Sequence, residues 1–188
     1  MNLLGAAQIR ALAEKLDLKP TKKLGQNFVI DANICRKIVK LAQVGDSDIA
    51  LEIGPGLGSL TLALLEQTKQ VVAVEIDNRL ANQLPITVTE NGFSSEKLIV
   101  INEDAMKLTH LDVKPTVLVA NLPYNISVPV LLNVLEYFPS ITKGVVMVQT
   151  EVAERLAALP DNKQYGAPTV KANWWSTLEL SASVSRSV

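Results

Sequence analysis

The chain has 188 residues, 48% of them hydrophobic and 20% charged, with a net charge of −1. That length and balance describe one globular domain with a self-sufficient core, and they exclude a protein that is basic throughout. No apolar run is long enough to cross a bilayer, and a single cysteine, Cys35, excludes an internal disulfide, so a cytoplasmic location and a small buried thiol are expected.

The charge is uneven. Eight of the 18 lysines and arginines fall in the first forty residues, against three acids, Glu14, Asp17 and Asp31. A basic segment on an acidic body points either to a local polyanion contact or to a solvated helix face.

Residues 5–16 repeat apolar positions at helical spacing and read as an amphipathic helix. Pro20 and Gly25 break the pattern, so 18–28 is an irregular loop carrying Lys22, Lys23, Gln26, Asn27 and Phe28, able to fold over a ligand. Asp31 caps a helix over 32–42. A β-prone run ending in Glu52 flows into Gly54, Gly56 and Gly58, followed by a helix over 57–67 and a strand over 70–76. A helix starts at Asn78, and Pro85 is expected to blunt or kink it. Strands over 98–101 and 116–120 follow, then a helix over 128–137, a strand over 145–148 and a helix over 151–159. Beyond a polar loop, 167–175 reads as a helix and 178–184 as a last strand. Alternating strands and helices with near-continuous apolar strands predict a mostly parallel sheet covered on both faces.

The strand, glycine turn and helix around Gly54 form half of a nucleoside-binding unit. Without a Cβ, the three glycines let a ligand lie almost against the backbone. Glu75 ends the next strand, where an acid can accept both ribose hydroxyls of an adenosine. The pattern is G-x-G-x-G rather than G-x-G-x-x-G, and Glu52 two residues upstream would repel a pyrophosphate but not a sulfonium. S-adenosylmethionine is therefore favoured over NAD or FAD. Glu75, Asp104 and Asn121 each follow a strand's carboxyl end, where ligands of such sheets collect.

Asn121-Leu122-Pro123-Tyr124 suits one chemical problem. The exocyclic amine of adenine is a poor nucleophile because its lone pair is delocalised. An Asn oxygen and a neighbouring backbone carbonyl, at Leu122, can accept its hydrogen bonds and draw the nitrogen towards tetrahedral geometry. Tyr124 can stack on the base, worth about 1–3 kcal/mol.

The stretches Leu24-Gly25-Gln26-Asn27-Phe28, Glu52 to Gly58, Val74 to Asp77, Glu103-Asp104-Ala105, Asn121 to Ser127, and Gln149 to Arg155 with Tyr165-Gly166 span the chain in one order. Together they resemble the family of ribosomal small-subunit RNA adenine N6,N6-dimethyltransferases. The resemblance implies a Rossmann-like class I methyltransferase fold of α/β type. It divides the chain into a basic helix and cofactor-covering loop, 1–30, and a methyltransferase domain, 31–188. It also implies a cofactor site in which Asn27 and the Val29 backbone cover the methionine end. Gly54 and Gly56 approach from below, Glu75 takes the ribose, and Asp104 takes the adenine amine. Asn121 serves donor and target, with Leu122 and Tyr124 completing the catalytic set. Lys22 and Lys23 are the candidates for RNA phosphates. A monomer acting on small-subunit RNA or the immature subunit, without metal or membrane, is expected. The resemblance implies a further antiparallel strand and a helical domain past the equivalent of Val188, so a truncated chain with retained donor binding and weak or absent RNA methylation is expected. Alternatives are a large-subunit RNA adenine methylase conferring macrolide resistance and a non-catalytic nucleic-acid-binding relative. His110, with no carboxylate partner in view, is discounted, as are Trp174 and Trp175, expected to be half core and half surface.

Overall fold

The computed structural model describes residues 2–18, 31–123 and 125–184. Five parallel strands form one sheet in the order β3-β2-β1-β4-β5: β1 Ile49–Ile53, β2 Gln70–Val74, β3 Leu98–Ile101, β4 Val117–Asn121 and β5 Lys143–Met147. Among the described residues, seven α-helices connect and cover them: α1 Ala6–Lys15, α2 Ala32–Leu41, α3 Ser59–Leu65, α4 Asn78–Glu90, α5 Ser127–Tyr137, α6 Thr150–Leu156 and α7 Ala167–Trp175. The chain reverses direction of travel across the sheet between β1 and β4, the switch point at which such folds bind ligands.

Alternation along the strands sorts the core into two layers. Ala50, Val71, Ala73, Val117 and Val119 pack under α1 to α4, with Leu4 and Ile9 of the N-terminal segment in the same cluster. Leu51, Ile53, Val72, Val74, Leu118 and Ala120 pack under α5 to α7. Both faces of the central strands are therefore apolar. A Cβ on Gly144 would run into the Leu118 carbonyl, so glycine is what lets β5 approach β4.

One expectation is corrected in part and one in full. Pro85 does not blunt its helix: α4 runs on to Glu90, because Leu84, Thr87 and Val88 are buried and their packing outweighs one missing hydrogen bond. Residues 178–184 form no strand. A strand exists only through its ladder, no described strand pairs with this segment, and apart from half-buried Leu178 it is exposed.

Candidate active site

The carboxyl ends of β1 to β4 bring four separated stretches of sequence to one place. Gly54, Gly56 and Gly58 all take positive φ, at 69°, 58° and 96°. The turn they form packs closely enough that a Cβ on Gly54 would lie 3.9 Å from the Asn121 carbonyl oxygen. The glycine turn after β1 and the Asn-Leu-Pro segment at the end of β4 are thus neighbours at the carboxyl edge of the sheet. The Leu122 backbone is fixed by donation of its N–H to the Met147 carbonyl at 2.9 Å, and its side chain is buried.

Across β1, Glu75 reaches back towards the same turn. Its Oε2 accepts the Gly56 N–H at 3.1 Å and its Oε1 accepts the Asp77 N–H at 2.9 Å. One amide on each oxygen leaves the carboxylate with acceptor capacity for a diol. Burial pushes the Glu75 carboxyl up, and the two amides hold it back. Asn102, which sequence reasoning passed over, donates through Nδ2 to the Glu75 carbonyl at 2.7 Å and so ties β3 to β2 beside the site. Two residues on, Asp104 Oδ1 accepts the Met106 N–H at 3.0 Å. Asn133 of α5 holds the loop beyond it by donating to the carbonyls of Ala105 and Leu108, at 3.1 and 2.7 Å. Ile76, 59% exposed, and Met106, 42% exposed, offer apolar surface beside Glu75 and Asp104. A positive-φ turn without Cβ atoms, a carboxylate with spare acceptors and two exposed apolar side chains fit an adenosine-bearing donor.

Glu52 does not behave as its position in the sequence suggests. Its side chain, 1% exposed, lies in the layer beneath α2 and α3, and neither carboxyl oxygen meets a hydrogen-bond partner. Burial pushes its pKa up to about 8; the nearby Thr61 pulls it back, and Glu75 adds to the rise. At neutral pH it keeps its proton, so its charge cannot be what repels a pyrophosphate. Cys35, buried as expected, is pushed up to about 12 by the same burial and by Glu52, and is inert. His110 has a carboxylate near it after all, Asp112 at 3.6 Å, but both side chains stand in solvent. Trp174 and Trp175 are 78% and 52% exposed, because Thr169 and Ala172 occupy the inward face of α7. Lys22, Lys23, Asn27, Val29 and Tyr124 lie outside the described residues.

Residues 18–188 match the family profile described as ribosomal RNA adenine dimethylase. The chain belongs to that family. It is 54% identical over 189 residues to ribosomal RNA small subunit methyltransferase A of Leifsonia xyli subsp. xyli (strain CTCB07), covering 100% of this chain and 68% of that protein. Among solved structures it is similar to a dimethyladenosine transferase from Plasmodium falciparum, with 34% identity and a TM-score of 0.67 over 76% of this chain and 50% of the other. The 23S rRNA methyltransferase ErmE is 29% identical, with a TM-score of 0.61 over 70% of this chain and 51% of that one. The chain spans about two thirds of the length of the curated relatives it matches. No helix among the described residues is long and apolar enough to cross a membrane.

Proposed function

We propose that the chain binds S-adenosylmethionine at the tips of β1 to β4 and methylates the N6 amines of two adjacent adenosines in small-subunit ribosomal RNA. The product is N6,N6-dimethyladenosine, made in the cytoplasm on the immature subunit by a monomer that needs no metal. The observation that carries this reading is the closeness of the Gly54 turn to the Asn121 backbone, whose carbonyl oxygen is 3.9 Å from where a Gly54 Cβ would lie; it supports a donor cradle beside Asn121 and Leu122. Membership of the dimethylase family supports it.

In this reading each residue holds, orients or accepts. Glu75 accepts the ribose hydroxyls, Asp104 accepts the adenine amine, and Ile76 and Met106 flank the base. Gly54 and Gly56 admit the donor against the backbone, while Asn27 and the Val29 backbone cover its methionine end. The bound donor supplies a methyl group on a cationic sulfur that is also its leaving group. Asn121 and the Leu122 carbonyl accept hydrogen bonds from the target amine and localise its lone pair, and Tyr124 stacks on the base. The amine's proton leaves to water. Holding amine and methyl in line can lower the barrier by up to about 7–11 kcal/mol. The target base must leave its stack to reach the cleft, with Lys22 and Lys23 on the phosphates beside it. Residues 1–30 act as the basic, donor-covering segment of the domain formed by 31–188.

Methyl transfer to purified immature small subunits tests the proposal. Asn121→Ala is expected to slow transfer by about 10²–10³-fold, a loss larger than the weakening of S-adenosylhomocysteine binding that calorimetry reads for the same variant. An Asn121→Ala protein as active as the parent would overturn it, and transfer to large-subunit RNA instead would move the reading to the macrolide-resistance methylases.

A further inference from the structure

The corner from Glu75 to Asp77 is held from two sides. From β3, Asn102 donates to the carbonyls of Glu75 and Ile76, at 2.7 and 3.3 Å. From α4, Asp77 caps the helix by accepting the Arg79 N–H at 2.9 Å, and its own N–H donates to Glu75 Oε1 at 2.9 Å. The guanidinium of Arg79 then grips the Asp77 carboxylate as a fork, Nη2 to Oδ2 at 2.7 Å and Nε to Oδ1 at 3.1 Å. That pairing pulls the Asp77 carboxyl below its ordinary value and raises the guanidinium.

The third arm of the guanidinium crosses to a distant part of the chain. Arg79 Nη1 donates to the carbonyls of Leu16 and Asp17, at 3.2 and 3.4 Å. These sit at the end of α1, where carbonyls have no helical partner of their own. Asp17 takes φ of 47° there, a left-handed conformation that costs a non-glycine residue energy and ends the helix. One planar side chain therefore joins the end of α1 to the residue whose amide holds Glu75.

We propose that Arg79 is a positioning residue for the methyl donor, fixing the Glu75 carboxylate towards the ribose by clamping Asp77 against the end of α1. This rests on the reading of Glu75 as the ribose acceptor. The Arg79 side chain of this ion pair is half exposed, and exposed pairs add little to stability, so its effect belongs in ligand affinity. Lysine, a point donor, cannot make the fork and the third contact together.

Calorimetric titration of the full chain with S-adenosylhomocysteine tests this, beside an analogue lacking both ribose hydroxyls. Arg79→Met is expected to weaken S-adenosylhomocysteine binding about fivefold, and Arg79→Lys is expected to restore little of it. Neither substitution moves the analogue, and neither adds to Glu75→Gln. Equal affinity of Arg79→Met and the parent overturns the inference, as does an equal loss on the hydroxyl-free analogue. If the parent itself binds no S-adenosylhomocysteine, the donor reading falls first and this inference with it.

Discussion

The two ends of the sheet use similar groups to opposite effect. At the amino end, Asp48 precedes β1 and all its bonds come from its own fold. Lys143 Nζ lies 2.9 Å from Oδ2, the Gly45 N–H donates to Oδ2 at 2.8 Å, and the Thr116 hydroxyl donates to Oδ1 at 2.7 Å. Burial works against the Asp48 charge, but Lys143 and Thr116 outweigh it and hold the carboxyl low. At the carboxyl end, Glu75 has two amides and no cation, Glu52 has no hydrogen-bond partner, and both are pushed up. Asp48, met by a cation, a hydroxyl and an amide of its own chain, fastens strands together; Glu75 keeps acceptor capacity beside the glycine turn, and Glu52 is a buried carboxyl that its own layer leaves without a partner.

Three experiments sharpen or break that contrast. Of the two substitutions at the sheet's ends, the larger stability effect is expected at the amino end, where Asp48→Ala takes the Thr116 hydroxyl's closest acceptor and the Lys143 ion pair, leaving Lys143 only the Gln43 carbonyl. Unfolding in urea should show a loss of about 2–3 kcal/mol, with donor affinity unchanged; a loss of affinity instead would erase the distinction between the two ends. Next, Glu75→Gln should weaken S-adenosylhomocysteine binding about tenfold while costing less stability than Asp48→Ala. The third test reads a slope and not a single loss, the pH dependence of the donor-free chain. Glu52 titrates at about 4.5 when unfolded and about 8 when folded. Between those values the folded chain keeps a proton that the unfolded chain has lost, so stability falls as pH rises from 4.5 to 8. Glu52→Gln should flatten that slope in melting curves recorded across the same range, and an unchanged slope would place the proton elsewhere.

Much of this arrangement is legible in residue order. The positive-φ glycines, the acid closing β2 and the Asn-Leu-Pro-Tyr run are local signals, each tied to a strand end that periodicity locates. Asn102 and Arg79 carry no such signal, since an Asn after a strand and an Arg in the first turn of a helix are ordinary, and their partners lie 27 and 63 residues away. Glu52 misled because a sequence shows charge type but not burial. The blunting expected of Pro85 and the strand expected over 178–184 failed for related reasons: a helix interior can absorb a proline where core packing demands it, and a β-prone segment that no described strand pairs with forms no ladder.

Sequence alone determined the parallel α/β architecture, the glycine turn and the identity of the groups at the strand tips, because these follow from short-range spacing and backbone sterics. Tertiary structure decided which of those groups meet, which carboxyls keep their protons and which side chains hold others in place. Those outcomes depend on burial and on contacts between residues far apart in the chain, which no local pattern encodes.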